Sequence, residues 1–360
     1  MGQEINFADV SSDIAASSPA RPRVDPARLQ RFLVSQPDVR ALQLGELRYI
    51  EDAGGSNGIA LFDAVINGDR QSFVLRYAPG EQLLQQKRFD EEFQTLSAVR
   101  AAGVPAPKGR WCDPTGQSIG YPFLVMDKVE GRAPANRMMY ANGLLAEVGT
   151  EERKSMLLEA AGFHGRLRKA AIGPSAVPHL TGRGVGATAI ERELSWWMEE
   201  VKLATAPGDP RRDYLTELTQ WMILHQPQAR PETLVHGDAQ IANLMFHQGH
   251  FAAALDWELS YLGHTEADLA LVVMLIPAHV PQGVWVTGLP SEAELIARYE
   301  SEAGAPVEHW DYFKLFNLVK VSAIMLMTSR HMSADMAQMM WGLNASDRAL
   351  AWDRARAAAL

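Results

Sequence analysis

The feature that most restricts this chain is a set of polar residues at fixed offsets in an otherwise apolar stretch. It reads Val235-His236-Gly237-Asp238-Ala239-Gln240-Ile241-Ala242-Asn243-Leu244-Met245-Phe246, followed by Ala254-Leu255-Asp256-Trp257-Glu258. Asn243 stands five positions after Asp238, and Asp256 stands thirteen after Asn243, closing an apolar strand. The regions around it differ in character. Ahead of it, strands are expected over about 44–51, 59–66, 72–77, 108–112 and 121–129. Turn signals separate them at Gly54-Gly55-Ser56-Asn57-Gly58 and at Asn67-Gly68-Asp69, the second a strong hairpin cue. Helices are expected from Asp25, with Pro26 in the first turn, and over 84–101, where Phe89, Glu92, Phe93, Leu96 and Val99 recur at helical spacing. After Gly131 helical patterns dominate, at about 151–170, 189–204, 211–226, 265–276, 291–303 and 308–330, with short strand-like pieces at 234–236 and 251–255. This is an α+β layout, a small antiparallel sheet packed on a larger helical region. The expected division is a disordered leader over 1–24, rich in Ser, Ala and Pro, then a sheet lobe over 25–127 and a helical lobe over 128–360.

The motif residues suit one kind of chemistry. Phosphoryl transfer passes through a loose, highly charged transition state, so catalysis is mostly positioning and charge neutralisation. It needs a carboxylate that orients the attacking hydroxyl and takes its proton, which Asp238 supplies. It also needs hard oxygen ligands that hold magnesium against nucleotide phosphates, which Asn243 and Asp256 supply. A neutral Asn avoids adding another anion beside a triphosphate.

H-G-D-x-x-x-x-N followed by D-W-E resembles the catalytic and metal-binding loops of the aminoglycoside phosphotransferase, choline kinase and related small-molecule kinases. Protein kinases write the same arrangement H-R-D-x-x-x-x-N and D-F-G. The resemblance implies a protein-kinase-like fold, ATP (or GTP) and Mg2+ as cofactors, and a small-molecule hydroxyl as acceptor. It also implies a nucleotide site in the first third. There Arg76 ends the strand Ser72-Phe73-Val74-Leu75-Arg76 where the family often carries Lys, and a guanidinium can clamp phosphates in its place. Glu92 on the following helix is its expected partner, with Glu91 as competitor. The glycine turn, with Ser56 and Asn57, would present backbone and side-chain donors to phosphate. Main-chain groups at Met126 to Lys128 would meet the adenine edge. The stretches VLRYAPGE and LDWELSYLGHTEADLA look most like the kinase-like domain fused to some animal acyl-CoA dehydrogenases, which implies a hydroxylated acyl group as acceptor.

Departures from protein kinases narrow the acceptor. Gly237 replaces the arginine that answers a phosphorylated activation loop. Only eleven residues separate Asp256 from Asp268, and a helical pattern follows at once, so no peptide-docking segment fits. Asp268, in the first turn of that helix, reads as a brace for the catalytic loop. Met and Trp residues such as Trp196, Trp197 and Met198 read as core before ligand site. Glu191, Glu193, Glu199 and Glu200 read as a solvated helix face, and His164 as a packed helix histidine. A net charge of −9 argues against nucleic-acid binding. The lack of about 18 consecutive apolar residues argues against a membrane span. The single cysteine, Cys112, fits a reducing cytoplasm. A homodimer is compatible with all of this. Two rival readings follow from the same residues: a non-catalytic nucleotide-binding module, and a metal-dependent hydrolase using His236, Asp238 and Asp256.

Overall fold

The computed structural model describes residues 22–50, 57–80, 88–135, 139–280 and 284–329, together with Ala357. Its first structural unit grows from the Asn67-Gly68 turn. Both residues take positive φ, 55° and 97°, the twist a two-residue hairpin needs, and Gly68 accepts it without a Cβ penalty. The turn pairs β3 (Gly58–Ile66) with β4 (Asp69–Tyr77) from Ile66 opposite Asp69 to Gly58 opposite Tyr77. Around this hairpin the antiparallel sheet runs β1-β3-β4-β6-β5, with β1 at Leu42–Leu44, β5 at Gly109–Asp113 and β6 at Phe123–Asp127. A short β2 (Arg48–Tyr49) also pairs with β3, so the single strand expected over 44–51 is two.

Period-2 alternation gives the sheet two different faces. Phe62, Phe73, Leu75, Tyr77 and Phe123 pack on one side with Leu29 and Leu33 of α1 (Pro26–Val34), which Asp25 caps at its N-terminus. Residues Pro22 to Val24, at the end of the expected leader, belong to this packing. Val24 is buried, and the Tyr77 hydroxyl donates to the Pro22 carbonyl. The other face carries Val74 and Arg76 toward α2 (Phe89–Ala101) and the helical region.

The helical region comprises α3 (Leu144–Glu147), α4 (Thr150–Ala170), α5 (Ala189–Ala204), α6 (Pro210–Leu224), α7 (Glu266–Ala278), α8 (Glu292–Ala303) and α9 (Trp310–Ser329). Between α6 and α7 lie four short strands, β7 (Thr233–Val235), β8 (Leu244–His247), β9 (His250–Ala254) and β10 (Tyr261–Gly263), paired as β7–β10 and β8–β9. The sequence pattern suggests only β7 and β9. Trp196 and Trp197 are buried with Leu215, Leu259 and Leu326, as the core reading expects. Glu193 and Glu200 are buried as well, which corrects the solvated-face reading of that helix. No described helix is long and apolar enough to cross a membrane.

Candidate active site

The motif loop begins where β7 ends. Gly237 turns the chain at φ 82°, and a Cβ there would lie 2.0 Å from the Leu259 carbonyl oxygen, so packing alone requires glycine. Asp268, near the start of α7, accepts the amides of His236 at 2.8 Å and Gly237 at 3.0 Å, and lies 3.1 Å from His164 Nδ1. Burial pushes its carboxyl up, but His164, His236 and Lys320 outweigh this and hold it below the ordinary carboxylate value. Asp268 is the brace its position suggests, and His164 is a buried neighbour of that brace.

His236 is fixed in one tautomer. Its Nδ1 accepts from the Asp238 amide at 3.2 Å, and its Nε2 donates to the Leu255 carbonyl at 2.8 Å. Burial pushes the imidazole down to about 4, so it is neutral near pH 7. With both ring nitrogens engaged, His236 cannot ligate a metal. Among the described residues no group of three His, Cys, Asp or Glu is disposed to hold one. The engagement of His236 leaves the hydrolase reading without the ligand it relied on.

Asn243 follows in the short 3-10 turn Ile241–Asn243. Its Nδ2 donates to the Asp238 carbonyl at 3.0 Å and to Asp238 Oδ2 at 2.8 Å, and Gln240 Nε2 donates to the same carboxylate oxygen at 2.9 Å. Both partners of the Asn243 nitrogen can only accept, so its Oδ1 carbonyl is the end turned away from Asp238. The Leu255 amide donates to the Asn243 carbonyl at 2.7 Å, tying the loop to the strand that delivers Asp256.

Asp256 takes a left-handed conformation (φ 60°, ψ 62°), one that Asp tolerates better than most residues and that recurs at functional sites. The turn divides three neighbours. Trp257 goes inward, its indole donating to the Ala254 carbonyl at 3.1 Å and its ring 4.5 Å from that of His236. Asp256 and Glu258 meet Arg76. Arg76 Nη1 donates to Glu92 at 2.5 Å, and Nη2 donates to Asp256 at 2.9 Å and Glu258 at 3.0 Å. Burial disfavours the guanidinium charge, but Asp256, Glu92 and Glu258 overcome it and hold its pKa above the usual arginine value. Glu92, not Glu91, is the helix partner. Burial instead pushes the Glu91 carboxyl up.

Of the other expected nucleotide-site residues, Asn57 is buried and donates to Glu258 at 3.1 Å, joining the same cluster. Ser56 and the glycines at 54 and 55 lie outside the described residues. The strand end departs from expectation. The Asp127 amide donates to Lys108 and the Lys128 amide to Ser72, both at 2.9 Å, while Met126 pairs within the sheet opposite Val74. Lys128 Nζ leans on Glu130 at 3.1 Å. The sheet therefore takes the amides at Met126 to Lys128, and Val129 is the first residue past it. Glu258, part of the matched D-W-E but given no role in the sequence analysis, stands two positions from Asp256 across a one-residue inward turn.

On the far side of the loop, Glu193 of α5 accepts from Arg183 Nε at 2.9 Å, Arg183 Nη2 at 3.1 Å and the Trp197 indole at 2.8 Å. Lys320 of α9 is buried beside them and was also missed. Its sequence signal is a lone cation within the apolar run Leu318-Val319-Lys320-Val321.

A family profile described as Phosphotransferase enzyme family matches residues 62–315. The chain is 29% identical over 304 residues to mouse Acyl-CoA dehydrogenase family member 10, covering 79% of this chain and 27% of that protein. The first curated relatives it matches are far longer, the chain spanning between 27% and 34% of their length. Among solved structures, a Ralstonia eutropha JMP134 protein provisionally described as an aminoglycoside phosphotransferase superposes with a TM-score of 0.67 at 24% identity, covering 93% of this chain and 99% of that one. The amicoumacin kinase hAmiN, in complex with AMP-PNP, Ca2+ and Ami, does so with a TM-score of 0.56 at 14% identity, covering 91% and 95%.

Proposed function

Since the chain belongs to the phosphotransferase enzyme family, we propose that it transfers the γ-phosphoryl group of ATP to a hydroxyl of a small molecule. The observation that carries this reading is the convergence at Arg76. One guanidinium from the sheet gathers Glu92 from α2 and both Asp256 and Glu258 from the end of β9, across separations of up to 182 residues. That convergence ties the sheet to the segment that follows the Asp238 loop.

Asp238 orients the acceptor hydroxyl and takes its proton as the oxygen attacks. Gln240 and Asn243 hold the carboxylate in place while it does so. The Asn243 side-chain carbonyl oxygen and the Asp256 carboxylate are hard oxygen donors of the kind magnesium prefers, and they would be its protein ligands, with nucleotide phosphates completing the shell. Bound there, magnesium would neutralise charge on the transferring group. Arg76 offers phosphate only the edge of a guanidinium already engaged by three carboxylates, so its first duty is to position Asp256. Adenine recognition falls to the main chain from Val129 onward, past the amides the sheet consumes. The sheet lobe over 25–127 would supply the nucleotide phosphate site and the helical lobe over 128–360 the acceptor pocket.

A hydroxyacyl compound is the acceptor class this reading favours, supported by the likeness to mouse Acyl-CoA dehydrogenase family member 10. The test is ADP formation across a hydroxyl-compound panel that includes acyl-CoA derivatives and aminoglycosides. Asp238→Ala is expected to lower turnover by about 10²–10⁴ on the best acceptor, the usual worth of a positioned proton acceptor. Wild-type turnover in that variant, or no ADP formed with any acceptor, would end the proposal.

A further inference from the structure

Two cations are buried among the described residues, Arg76 and Lys320. The surroundings of Lys320 are unlike those of any other charge near the cleft. It is 4% exposed and, among the described residues, has no hydrogen-bond acceptor in reach and no carboxylate within 4.0 Å. Its ammonium lies 5.7 Å from the ring centre of Trp197. Three carboxylates act on it electrostatically, Glu193 on α5, Asp238 in the catalytic loop and Asp268 on α7, while Arg183 opposes them. Each of the three is already supplied with donors. Glu193 has Arg183 and Trp197, Asp268 has the amides of His236 and Gly237, and Asp238 has Gln240 and Asn243.

An ammonium left with only a narrow contact with solvent and no acceptor among the described residues is unfavourable, and an apolar side chain between Val319 and Val321 would suit the helix better. Burial accordingly holds Lys320 below the ordinary lysine value. A charge kept under these conditions is reserved for a partner that arrives. We infer that Lys320 is the anion-recognising residue of the acceptor side, its ammonium receiving a negatively charged oxygen group of the molecule bound against Asp238. This rests on the phosphotransferase reading only for what is bound there. The oxygen anion has two sources, a carboxylate or phosphate that the acceptor carries, or the phosphoryl group once transferred.

The experiment compares the full chain as wild type, Lys320→Met and Lys320→Arg. Methionine keeps most of the unbranched stem and removes the charge. With Mg-ADP on the nucleotide side, inorganic phosphate or acetate is expected to raise the melting temperature of wild type and the Arg variant and not of the Met variant. Without added anion the Met variant is expected to melt at or above wild type, whereas a lysine held by a structural ion pair would lose stability on the same change. In turnover, a rise of about tenfold or more in acceptor KM at unchanged kcat assigns the anion to the acceptor. A fall of about tenfold or more in kcat at unchanged KM assigns it to the transferred phosphoryl group. An equal anion response in wild type and Met variant, or a Met variant that melts lower, overturns the inference. The melting measurement needs no turnover. An inactive wild type with a Lys320-dependent anion response would count against the kinase reading alone.

Discussion

Arg76 and Lys320 are both buried, and their surroundings are opposite. Arg76 is gripped by three carboxylates from two distant parts of the chain, and its charge is more than balanced. Lys320 has three carboxylates nearby, and all of them are engaged elsewhere. The comparison teaches that burial of charge has two uses. A fully paired buried ion is architecture, since removing one partner strands the others. One with no hydrogen-bonded partner adds little to the folded state by itself, so its retention points to an incoming ligand.

The comparison can be broken most directly by removing each cation in turn. Arg76→Met removes the cation that Glu92, Asp256 and Glu258 share and is expected to destabilise the fold by about 3–5 kcal/mol in chemical denaturation. Lys320→Met is expected to shift stability the other way or not at all. Equal losses in the two variants would erase the distinction. Arg76→Lys keeps the charge but cannot reach Glu92 on one side and Asp256 and Glu258 on the other as a fork does. It should recover part of the loss, and full recovery would show that geometry at this hub is unimportant.

A smaller effect is expected from the loop between the two cations. Gly237→Ala forces a Cβ against the Leu259 carbonyl at a positive φ, at a cost of about 1–3 kcal/mol. Turnover should fall with it, because the peptide amide leading into Asp238 must move. A variant with unaltered melting and rate would show that the contact relaxes without consequence.

An independent test, which needs no substitution, is pH. Burial holds His236 and His264 at about 4, against 6.5 in the unfolded chain. Between those values the unfolded state binds protons that the folded state refuses. Stability should therefore be intact above pH 6.5 and fall on acidification toward 4, by about 1.4 kcal/mol per pH unit for each histidine. Denaturation curves at pH 7.5 and 4.5 that coincide would contradict the buried neutral state of these rings.

How much was legible in advance depended on whether a signal was local. The Asn67-Gly68 hairpin and the helix start at Asp25-Pro26 are properties of a few adjacent residues, and each appears where the pattern places it. Asp238, Asn243 and Asp256 were legible because their offsets lie within one short segment. The amides at Met126 to Lys128 were misjudged because their partners, Lys108 and Ser72, come from neighbouring strands. Glu193 was misjudged because α5 is apolar on more than one side, and Arg183, ten residues earlier, folds over it.

Sequence alone determined which chemistry this protein carries and the order of sheet and helices that frames it, because spacing and periodicity are written along the chain. Only the tertiary structure decided that Arg76 binds Asp256 and Glu258 as well as Glu92, that Gly237 answers to Leu259, and that Lys320 is left without a partner. Charge pairing in a packed interior depends on which donors reach which acceptors first, and that is a property of distances in space between residues far apart in sequence.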